Sequence, residues 1–293
     1  MTLQHFLADD CVDKSQLLAL IDLAKQIKKS PSDYQQALAG KSVVMLFEKP
    51  SLRTHISFDI GIQKLGGHSL YIGQQNGQLG ERERVKDVAK NLACWSDAIV
   101  ARVFSQDVLE ELAEHANIPV INALSDLYHP CQALADFLTL SENFDDLSKV
   151  KLAYVGDGNN VTHSLMIMAA VLGVDMTILC PEGYSVDPFI IDKAQALADK
   201  SGSALVVTSN IDDIANHDAI YTDTWISKGF ELSPFMKFDS PISSIAVKNF
   251  IENLLPEGNG REILSIKNHI SKNSVFGLIQ IIGKETTGAL TFY

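Results

Sequence analysis

Residues 150–180 read VKLAYVGDGNNVTHSLMIMAAVLGVDMTILC, and this stretch decides the fold. It contains two short apolar runs, at 150–155 and 175–180, with a glycine-containing turn and a helix-forming segment between them. Both runs have the length and apolar character of buried strands. Two strands joined by a helix pair in parallel, because the helix carries the chain back to the starting edge of the sheet. The stretch therefore predicts one strand–helix–strand unit of a parallel sheet.

The same alternation continues on both sides of this unit. Further strands are predicted at 42–47, 97–101, 118–122, 204–208 and 218–222, and further helices at 14–28, 85–95, 130–141, 188–200 and 210–216. Two such series predict two parallel-sheet α/β domains with helices on both faces. We place the first domain at 1–140, the second at 141–229, and a small α+β segment at 230–293.

The composition is that of a globular protein that does not bind nucleic acid. Hydrophobic residues make up 46% of the chain, charged residues make up 20%, and the formal net charge is −12. An acidic chain is a poor partner for a polyanion, because phosphate neutralisation requires a basic surface. The N-terminus lacks the features of a signal peptide, and no apolar run reaches the roughly 18 residues of a membrane span. We therefore expect a cytoplasmic protein that does not enter a membrane.

The cysteines do not indicate a metal site. Cys11, Cys94, Cys131 and Cys180 are scattered along the chain without a CxxC pair. This spacing argues against a structural zinc site and against a disulfide framework, and it fits a reducing compartment.

The segment Ser51-Leu52-Arg53-Thr54 is the first candidate site. It follows the predicted strand 42–47 and opens a helix. A helix N-terminus presents unpaired N–H groups and a partial positive charge, both of which favour phosphate. The hydroxyls of Ser51 and Thr54 and the guanidinium of Arg53 add further donors. The alternative is an ordinary helix cap, in which Ser51 caps the helix and Arg53 is solvated.

Two further loops of the first domain carry polar groups that suit an anionic ligand. Arg102 directly follows the predicted strand 97–101. His129 and Gln132 flank the start of a helix that Pro130 opens, and their spacing lets both face the strand ends. A histidine at this position can donate to an oxyanion that develops on a carbonyl. The alternative for His129 is a helix-start histidine without a catalytic task.

The second domain offers an amide and a carboxylate instead. The turn 156–160, GDGNN, lacks the third glycine of the GxGxxG pattern, so it supports a dinucleotide site only weakly. Asp223 follows the predicted strand 218–222 and can bind an ammonium group, although turn aspartates are common. Together with the donors of the first domain, these residues suit a cleft between domains that holds a phosphorylated ligand and an amino acid.

Four segments resemble the carbamoyltransferase family, most closely its ornithine-specific members. They are FEKPSLRTHISF at 47–58, HPCQALAD at 129–136, GDGNNVTHS at 156–164 and DTWIS at 223–227. The resemblance covers about 1–229. It implies transfer of the carbamoyl group of carbamoyl phosphate to the side-chain amine of ornithine, in arginine biosynthesis. It also implies a homotrimer and a reaction that needs no metal and no other cofactor.

The resemblance also implies a role for each matching residue. The phosphate would be bound by Ser51, Arg53, Thr54 and the backbone of Leu52. Arg102 and His129 would polarise the carbamoyl carbonyl, with Arg53 as a further catalytic group, and Gln132 would orient the carbamoyl amino group. Gln78 would reach the site of a neighbouring subunit. Ornithine would be held by Asn160, Asp223, Ser227 and Lys228.

Residues 230–293 resemble a different family, the N-terminal subdomain of HipA-type kinases. The features that carry this resemblance are the LLPEG turn at 254–258, the helix before it, and a closing run that ends in GALTF at 288–292. Such a segment implies a protein partner. The alternative is a divergent C-terminus of the transferase itself.

Several departures from the transferase family leave a second function open. His55 stands where the family usually has an arginine, and Lys228 interrupts the SMG motif that usually follows DxW. The HCLP loop is not found in 230–293, and the only arginine there is Arg261. The alternative function is therefore an inactive or ligand-binding carbamoyltransferase fused to a HipA-like interaction module.

Overall fold

A computed structural model describes residues 5–73, 79–81, 83–214 and 217–223, together with the backbone of 264–265. The described residues up to Asn143 form one compact unit, and those from Phe144 onward form a second. In the described part of the chain, no helix is long and apolar enough to cross a membrane.

The first unit is built around a parallel five-stranded sheet in the order β1-β5-β4-β2-β3. Its strands are β1 (His5–Phe6), β2 (Ser42–Phe47), β3 (His68–Ile72), β4 (Ala98–Arg102) and β5 (Val120–Leu124). Its helices are α1 (Lys14–Lys29), α2 (Leu52–Lys64), α3 (Val85–Trp95), α4 (Gln106–His115) and α5 (Pro130–Asn143). The parallel order confirms the fold class that the sequence predicts.

The core of the first unit lies on both faces of the central strands. Along β4, Ile99, Val100 and Ala101 are fully buried, and Leu109 and Leu112 of α4 pack in the same cluster as Ile99. Burial of one such aliphatic side chain contributes about 1.5–3 kcal/mol. The centre of the sheet is therefore a stable base for the loops that follow its strands.

The second unit has the same architecture in the order β10-β9-β6-β7-β8, again with parallel pairing throughout. Its strands are β6 (Lys151–Val155), β7 (Asp175–Leu179), β8 (Leu205–Thr208), β9 (Ala219–Thr222) and β10 (Leu264–Ser265). Its helices are α6 (Asn160–Leu172) and α7 (Pro188–Ser201). The predicted helix at 210–216 appears as a short 3-10 helix at Ile211–Ile214. The rest of the predicted C-terminal segment lies outside the described residues.

The turn between β6 and α6 shows why Gly158 is a glycine. A side chain at this position would place its Cβ 2.4 Å from the backbone nitrogen of Val186. The Gly158 N–H also donates to the carbonyl of Tyr184, over 2.8 Å. This turn is therefore shaped by the close approach of another segment of the same unit, which accounts for its glycine without a dinucleotide.

Candidate functional site

The polar loops of the first unit lie side by side because their strands are neighbours. β2 pairs with β4, and β4 pairs with β5, so that Phe47 is opposite Arg102 and Arg102 is opposite Leu124. The carboxyl ends of parallel strands meet at one edge of the sheet. The segments that begin at Ser51, Arg102 and Ser125 therefore leave the sheet at the same edge.

Ser51 caps helix α2 in the way that the simpler alternative predicts. Its Oγ accepts a hydrogen bond from the Thr54 N–H over 3.4 Å and donates to the Thr54 Oγ1 over 2.8 Å. Among the described residues, the N–H groups of Leu52 and Arg53 have no acceptor. Both residues are exposed. The cap thus leaves two adjacent N–H groups and the Arg53 side chain available to an anion.

Arg102 ends β4 and is half-buried. Its Nε atom is buried and has no hydrogen-bond acceptor in the part of the chain that the structure describes. Burial, together with the positive charge of Arg53, lowers the pKa of its guanidinium to about 10. A buried cation beside a second cation is costly unless an anion joins them. This pair therefore favours a bound anion such as phosphate.

His129 precedes helix α5 and belongs to the same electrostatic cluster. Burial lowers the pKa of its imidazole to about 3, and the neighbouring charge of Arg102 contributes. The ring is accordingly neutral near pH 7. A neutral imidazole can donate one hydrogen bond to a carbonyl oxygen, which is the role that oxyanion stabilisation requires. Gln132, on the first turn of α5, donates from Nε2 to Asp136 over 2.9 Å.

Lys49 is a charged residue of this edge that the sequence analysis did not select. It is half-buried, and its Nζ lies 4.8 Å from the ring centroid of Phe104. Burial lowers the pKa of the amine, Arg102 lowers it as well, and Asp126 and Glu48 oppose this change. The sequence did contain a signal for Lys49, because it directly precedes the Pro50-Ser51 pair within the FEKPSLRT motif.

The two carboxylates near these cations, those of Glu48 and Asp126, already accept hydrogen bonds from backbone N–H groups. Glu48 is 5% exposed, and its carboxylate accepts from the Leu79 N–H over 2.9 Å and from the Phe104 N–H over 2.7 Å. Asp126 accepts from the N–H groups of Gln106 and Leu127. These contacts fix the loops and leave the edge with an excess of positive charge.

His55, which departs from the family pattern, lies one turn into α2. Its ring stacks on Tyr71 with 3.9 Å between centroids and 15° between planes, and the ring of Phe47 is tilted against both, with centroids 6.3 Å from His55 and 5.3 Å from Tyr71. His55 therefore acts here as an aromatic packing partner of β3. Gln78 lies outside the described residues.

In the second unit, the predicted residues lie at the carboxyl edge of β6 and β9. Val155 is opposite Thr222, so Asn160 and Asp223 follow neighbouring strands. Both are half-buried. Asn159, rather than Asn160, caps helix α6, because its Oδ1 accepts from the N–H groups of Val161 and Thr162 over 2.9 and 3.2 Å. Ser227 and Lys228 lie outside the described residues.

This second edge is electrostatically negative. Burial raises the pKa of the Tyr154 hydroxyl well above its usual value, and the carboxylates of Asp223 and Asp157 contribute. Burial also raises the pKa of Cys180 to about 12, with a contribution from Asp157. Such an edge suits a cationic group. Among the residues that the structure describes, no cluster of His, Cys, Asp and Glu is arranged to bind a metal ion.

Comparison with known protein families gives matches along the whole chain. A model described as the carbamoyl-P binding domain of aspartate/ornithine carbamoyltransferase matches residues 4–142, and the corresponding Asp/Orn binding domain matches 148–247. A third model, the HipA N-terminal domain, matches 212–293 and overlaps the second.

Individual relatives agree with the first two models. The ornithine carbamoyltransferase of Shewanella oneidensis is 56% identical over 270 residues, which cover 89% of this chain and 89% of that protein. That of Moritella abyssi is 58% identical over 227 residues, which cover 78% of this chain and 75% of the relative.

Solved structures give the same result for the fold. The ornithine carbamoyltransferase from Pyrococcus furiosus matches with a TM-score of 0.80 and 32% identity, covering 95% of this chain and 96% of that one. The anabolic enzyme from Campylobacter jejuni matches with a TM-score of 0.80 and 31% identity over the same shares of the two chains. On its sequence and on its fold, this chain therefore belongs to the aspartate/ornithine carbamoyltransferase family.

Proposed function

We propose that this protein transfers the carbamoyl group of carbamoyl phosphate to the side-chain amine of ornithine, giving citrulline and phosphate. The observation that carries the proposal is the cluster of Arg53, Arg102 and neutral His129 at one sheet edge. The names of the similar proteins, which are ornithine carbamoyltransferases, support the choice of ornithine as the acceptor.

In this proposal, the phosphate of the donor binds at the start of α2. The N–H groups of Leu52 and Arg53 point along the helix axis toward the anion, and the Arg53 guanidinium binds its oxygens. Ser51 and Thr54 supply hydroxyl groups, although their mutual hydrogen bond must rearrange for both to donate to the ligand. The negative ligand offsets the repulsion between Arg53 and Arg102.

The carbonyl oxygen of the donor would lie between Arg102 and His129. The uncharged amine of ornithine attacks the carbonyl carbon, and a tetrahedral intermediate with a negatively charged oxygen forms. The C–N bond replaces the C–O bond to phosphate, phosphate leaves with the electron pair, and the departing phosphate takes one proton from the former amine. Arg102 donates a hydrogen bond from its charged guanidinium, and His129 donates one from its neutral ring. Both hydrogen bonds stabilise the oxyanion. Gln132 would orient the carbamoyl amino group.

The proposed ornithine residues belong to the second unit. The carboxylate of Asp223 would bind the α-ammonium group, and Asn160, Ser227 and Lys228 would bind the rest of the amino-acid end. The negative character of this edge supports an ammonium ligand there. A lysine at 228 would complement the α-carboxylate.

The domain boundaries, the oligomeric state and the cellular location also belong to the proposal. We propose a carbamoyl phosphate domain at 1–140, an ornithine domain at 141–229, and a homotrimer in which Gln78 reaches the neighbouring site. We place the protein in the cytoplasm, in arginine biosynthesis. The family models that match 4–142 and 148–247 support the division into two ligand-binding domains.

For 230–293 we propose a HipA-like segment, fused to the transferase, that contacts a protein partner. The family model that matches 212–293 supports it. Its test is affinity capture with the full chain and with a chain that ends at Gly229. Loss of a captured partner in the shorter chain supports the proposal, and identical capture by both chains contradicts it.

The experiment that tests the activity measures citrulline formed from carbamoyl phosphate and ornithine. Wild-type protein should form citrulline at a rate that an Arg53→Ala variant does not reach. Lys149→Ala is a suitable control, since Lys149 is exposed and its amine pairs with the nearby Asp146, which lies outside the proposed site. Absence of wild-type turnover, together with calorimetric binding of carbamoyl phosphate, would instead favour the ligand-binding alternative.

A further inference from the structure

Two loops must hold their positions for the proposed reaction, and a buried side chain helps to connect them. The loop after β4 begins at Arg102, and the loop after β5 leads to His129. Gln106 is the first residue of α4, at the end of the first of these loops, and it is 4% exposed. Its Oε1 and its backbone N–H contact the second loop, and its Nε2 donates to Glu110 of the same helix over 3.3 Å.

The loop from Ser125 to Tyr128 is a closed turn. The Ser125 N–H donates to the Tyr128 carbonyl over 2.9 Å, and the Tyr128 N–H donates back to the Ser125 Oγ over 3.1 Å. Ser125 is fully buried and Tyr128 is 4% exposed. This turn ends at the residue before His129, so its position sets the position of the imidazole.

Gln106 is bonded to this turn at two points. The Ser125 Oγ donates to the Gln106 Oε1 over 2.7 Å, and the Gln106 backbone N–H donates to the Asp126 Oδ1 over 2.7 Å. The Ser125 hydroxyl donates its proton to Gln106, and its oxygen accepts a hydrogen bond from the Tyr128 N–H. The side chain of Gln106 therefore orients the Ser125 hydroxyl for the hydrogen bond within the turn. A buried network of this kind restrains the backbone, because a displaced member leaves a buried polar atom without its partner.

The same side chain reaches the sheet beneath the two loops. The Asn122 Nδ2 is 3.5 Å from the Gln106 Oε1 and donates to the carbonyl of Leu7 over 2.8 Å. On the other side, the Val103 N–H donates to the Leu124 carbonyl over 2.9 Å, directly after Arg102. Both loops are thus fastened to each other at their bases.

We propose that Gln106 is a positioning residue that, through Ser125, sets the distance between His129 and Arg102. The inference rests on the proposed function, since it assigns these two groups to the carbamoyl carbonyl. Gln106 itself does not touch the substrate. Its contribution is to the geometry of the oxyanion donors, where a displacement of about 1 Å costs on the order of a hundredfold in rate.

The test compares two variants with one control. Gln106→Met keeps the length of the side chain and removes the acceptor, and Ser125→Ala removes the hydroxyl. Thr139→Val is the matched control, because Thr139 is fully buried in α5 and donates only to Ala135 of the same helix, over 3.0 Å. It loses a buried hydroxyl without a change in either loop.

We expect Gln106→Met and Ser125→Ala to lower kcat at least about tenfold, with KM for ornithine within about twofold of wild type. Thr139→Val should keep the wild-type value. If the substitutions acted only by lowering the fraction of folded protein, the apparent kcat would fall in proportion to that fraction, and the Thr139→Val control would show a similar loss. A kcat for Gln106→Met equal to that of Thr139→Val overturns the proposal.

Hydrogen exchange followed by mass spectrometry gives a readout that does not depend on activity. Peptides that cover 123–131 should exchange faster in Gln106→Met and Ser125→Ala, whereas peptides that cover 51–58 should not change. Unchanged exchange in 123–131 overturns the positioning role even if kcat falls. If the wild type forms no citrulline, the proposed function fails, and the exchange experiment still decides whether Gln106 holds the His129 loop.

Discussion

The carboxyl edges of the two sheets have opposite electrostatic character, although the sheets share one architecture. At the first edge, burial and neighbouring cations lower the pKa values of Lys49, Arg102 and His129. At the second edge, burial and neighbouring carboxylates raise the pKa values of Tyr154 and Cys180. The fold therefore supplies the location of a site, and the loop residues decide whether an anion or a cation binds there.

The two edges also differ in how their loops are held. At the first, Glu48 and Gln106 are buried polar side chains that bond to the backbone or side chains of adjacent loops. At the second, Gly158 permits close backbone contact and Asn159 caps a helix. An edge whose loops are joined by such hydrogen bonds is suited to donors in fixed positions. Substitution of the residues that hold these loops should therefore act chiefly on the rate of the chemical step.

The largest expected effect comes from Arg102, the half-buried cation of the first edge. Arg102→Ala should lower kcat by roughly a thousandfold, because loss of one oxyanion donor costs about 10²–10³ in rate. Citrulline formation at saturating substrates is the measurement, and Lys149→Ala is the control. A loss of less than about tenfold would remove Arg102 from the proposed oxyanion site.

Arg53→Ala should weaken phosphate binding by roughly a hundredfold, since a charge-assisted hydrogen bond contributes about 1.5–3 kcal/mol. The same change removes the cation that lowers the pKa of the Arg102 guanidinium, so that pKa should rise. Calorimetric titration with carbamoyl phosphate is the measurement. Equal affinity in the variant and in the wild type would contradict an anion site at the first edge.

Asp223→Asn tests the second edge, where the proposal places the ammonium group of ornithine. The KM for ornithine should rise by roughly thirtyfold, from loss of about 2 kcal/mol of charge-assisted binding, while binding of carbamoyl phosphate stays within about twofold. Asp212→Asn is the matched control, because Asp212 is exposed on the short 3-10 helix Ile211–Ile214. An equal KM in both variants would contradict the assignment.

The smallest expected effect is a pH dependence of stability that His129 contributes. Its pKa is about 3 in the folded protein and about 6.5 in the unfolded chain, so the unfolded state binds more protons as the pH falls through 6.5. This contribution is fully present above pH 6.5 and declines toward pH 3. Linkage gives a loss of about 1 kcal/mol between pH 6.5 and 5.5.

Urea unfolding of wild type and His129→Gln at these two pH values measures the difference. The variant should show a smaller loss of unfolding free energy on acidification than the wild type. The pH profile of kcat should show no inflection from His129 between pH 5 and 8, because the folded ring is neutral throughout. Identical pH dependence of stability in both proteins would contradict a buried neutral imidazole.

Sequence patterns predicted the central strands of both sheets and missed the edge strands of the first. β2 and β6 are buried apolar runs whose composition alone indicates a strand. β3, with the sequence HSLYI, is mostly exposed, and β1 is a two-residue strand, so neither carries a buried pattern. Both form because an adjacent strand offers free backbone groups, which is a property of the sheet.

The residues of the candidate site also fall into two groups, those that the sequence indicated and those that only the structure revealed. The donors Ser51, Arg53, Arg102 and His129 were recognisable from residue type and from their place after strands. Glu48 and Gln106 were not, because their importance comes from burial and from partners far along the chain, such as Leu79 and Phe104 for Glu48. No local pattern records such contacts.

The sequence alone determined the parallel α/β class, the strand ends that carry polar residues, and the family. These follow from hydrophobic periodicity and from short motifs, which are local properties of a chain. Only the tertiary structure decided that His129 is neutral, that Arg102 lies beside Arg53, and that Gln106 joins two loops. These depend on desolvation and on distances between residues remote in sequence, and such quantities exist only after the strands have paired.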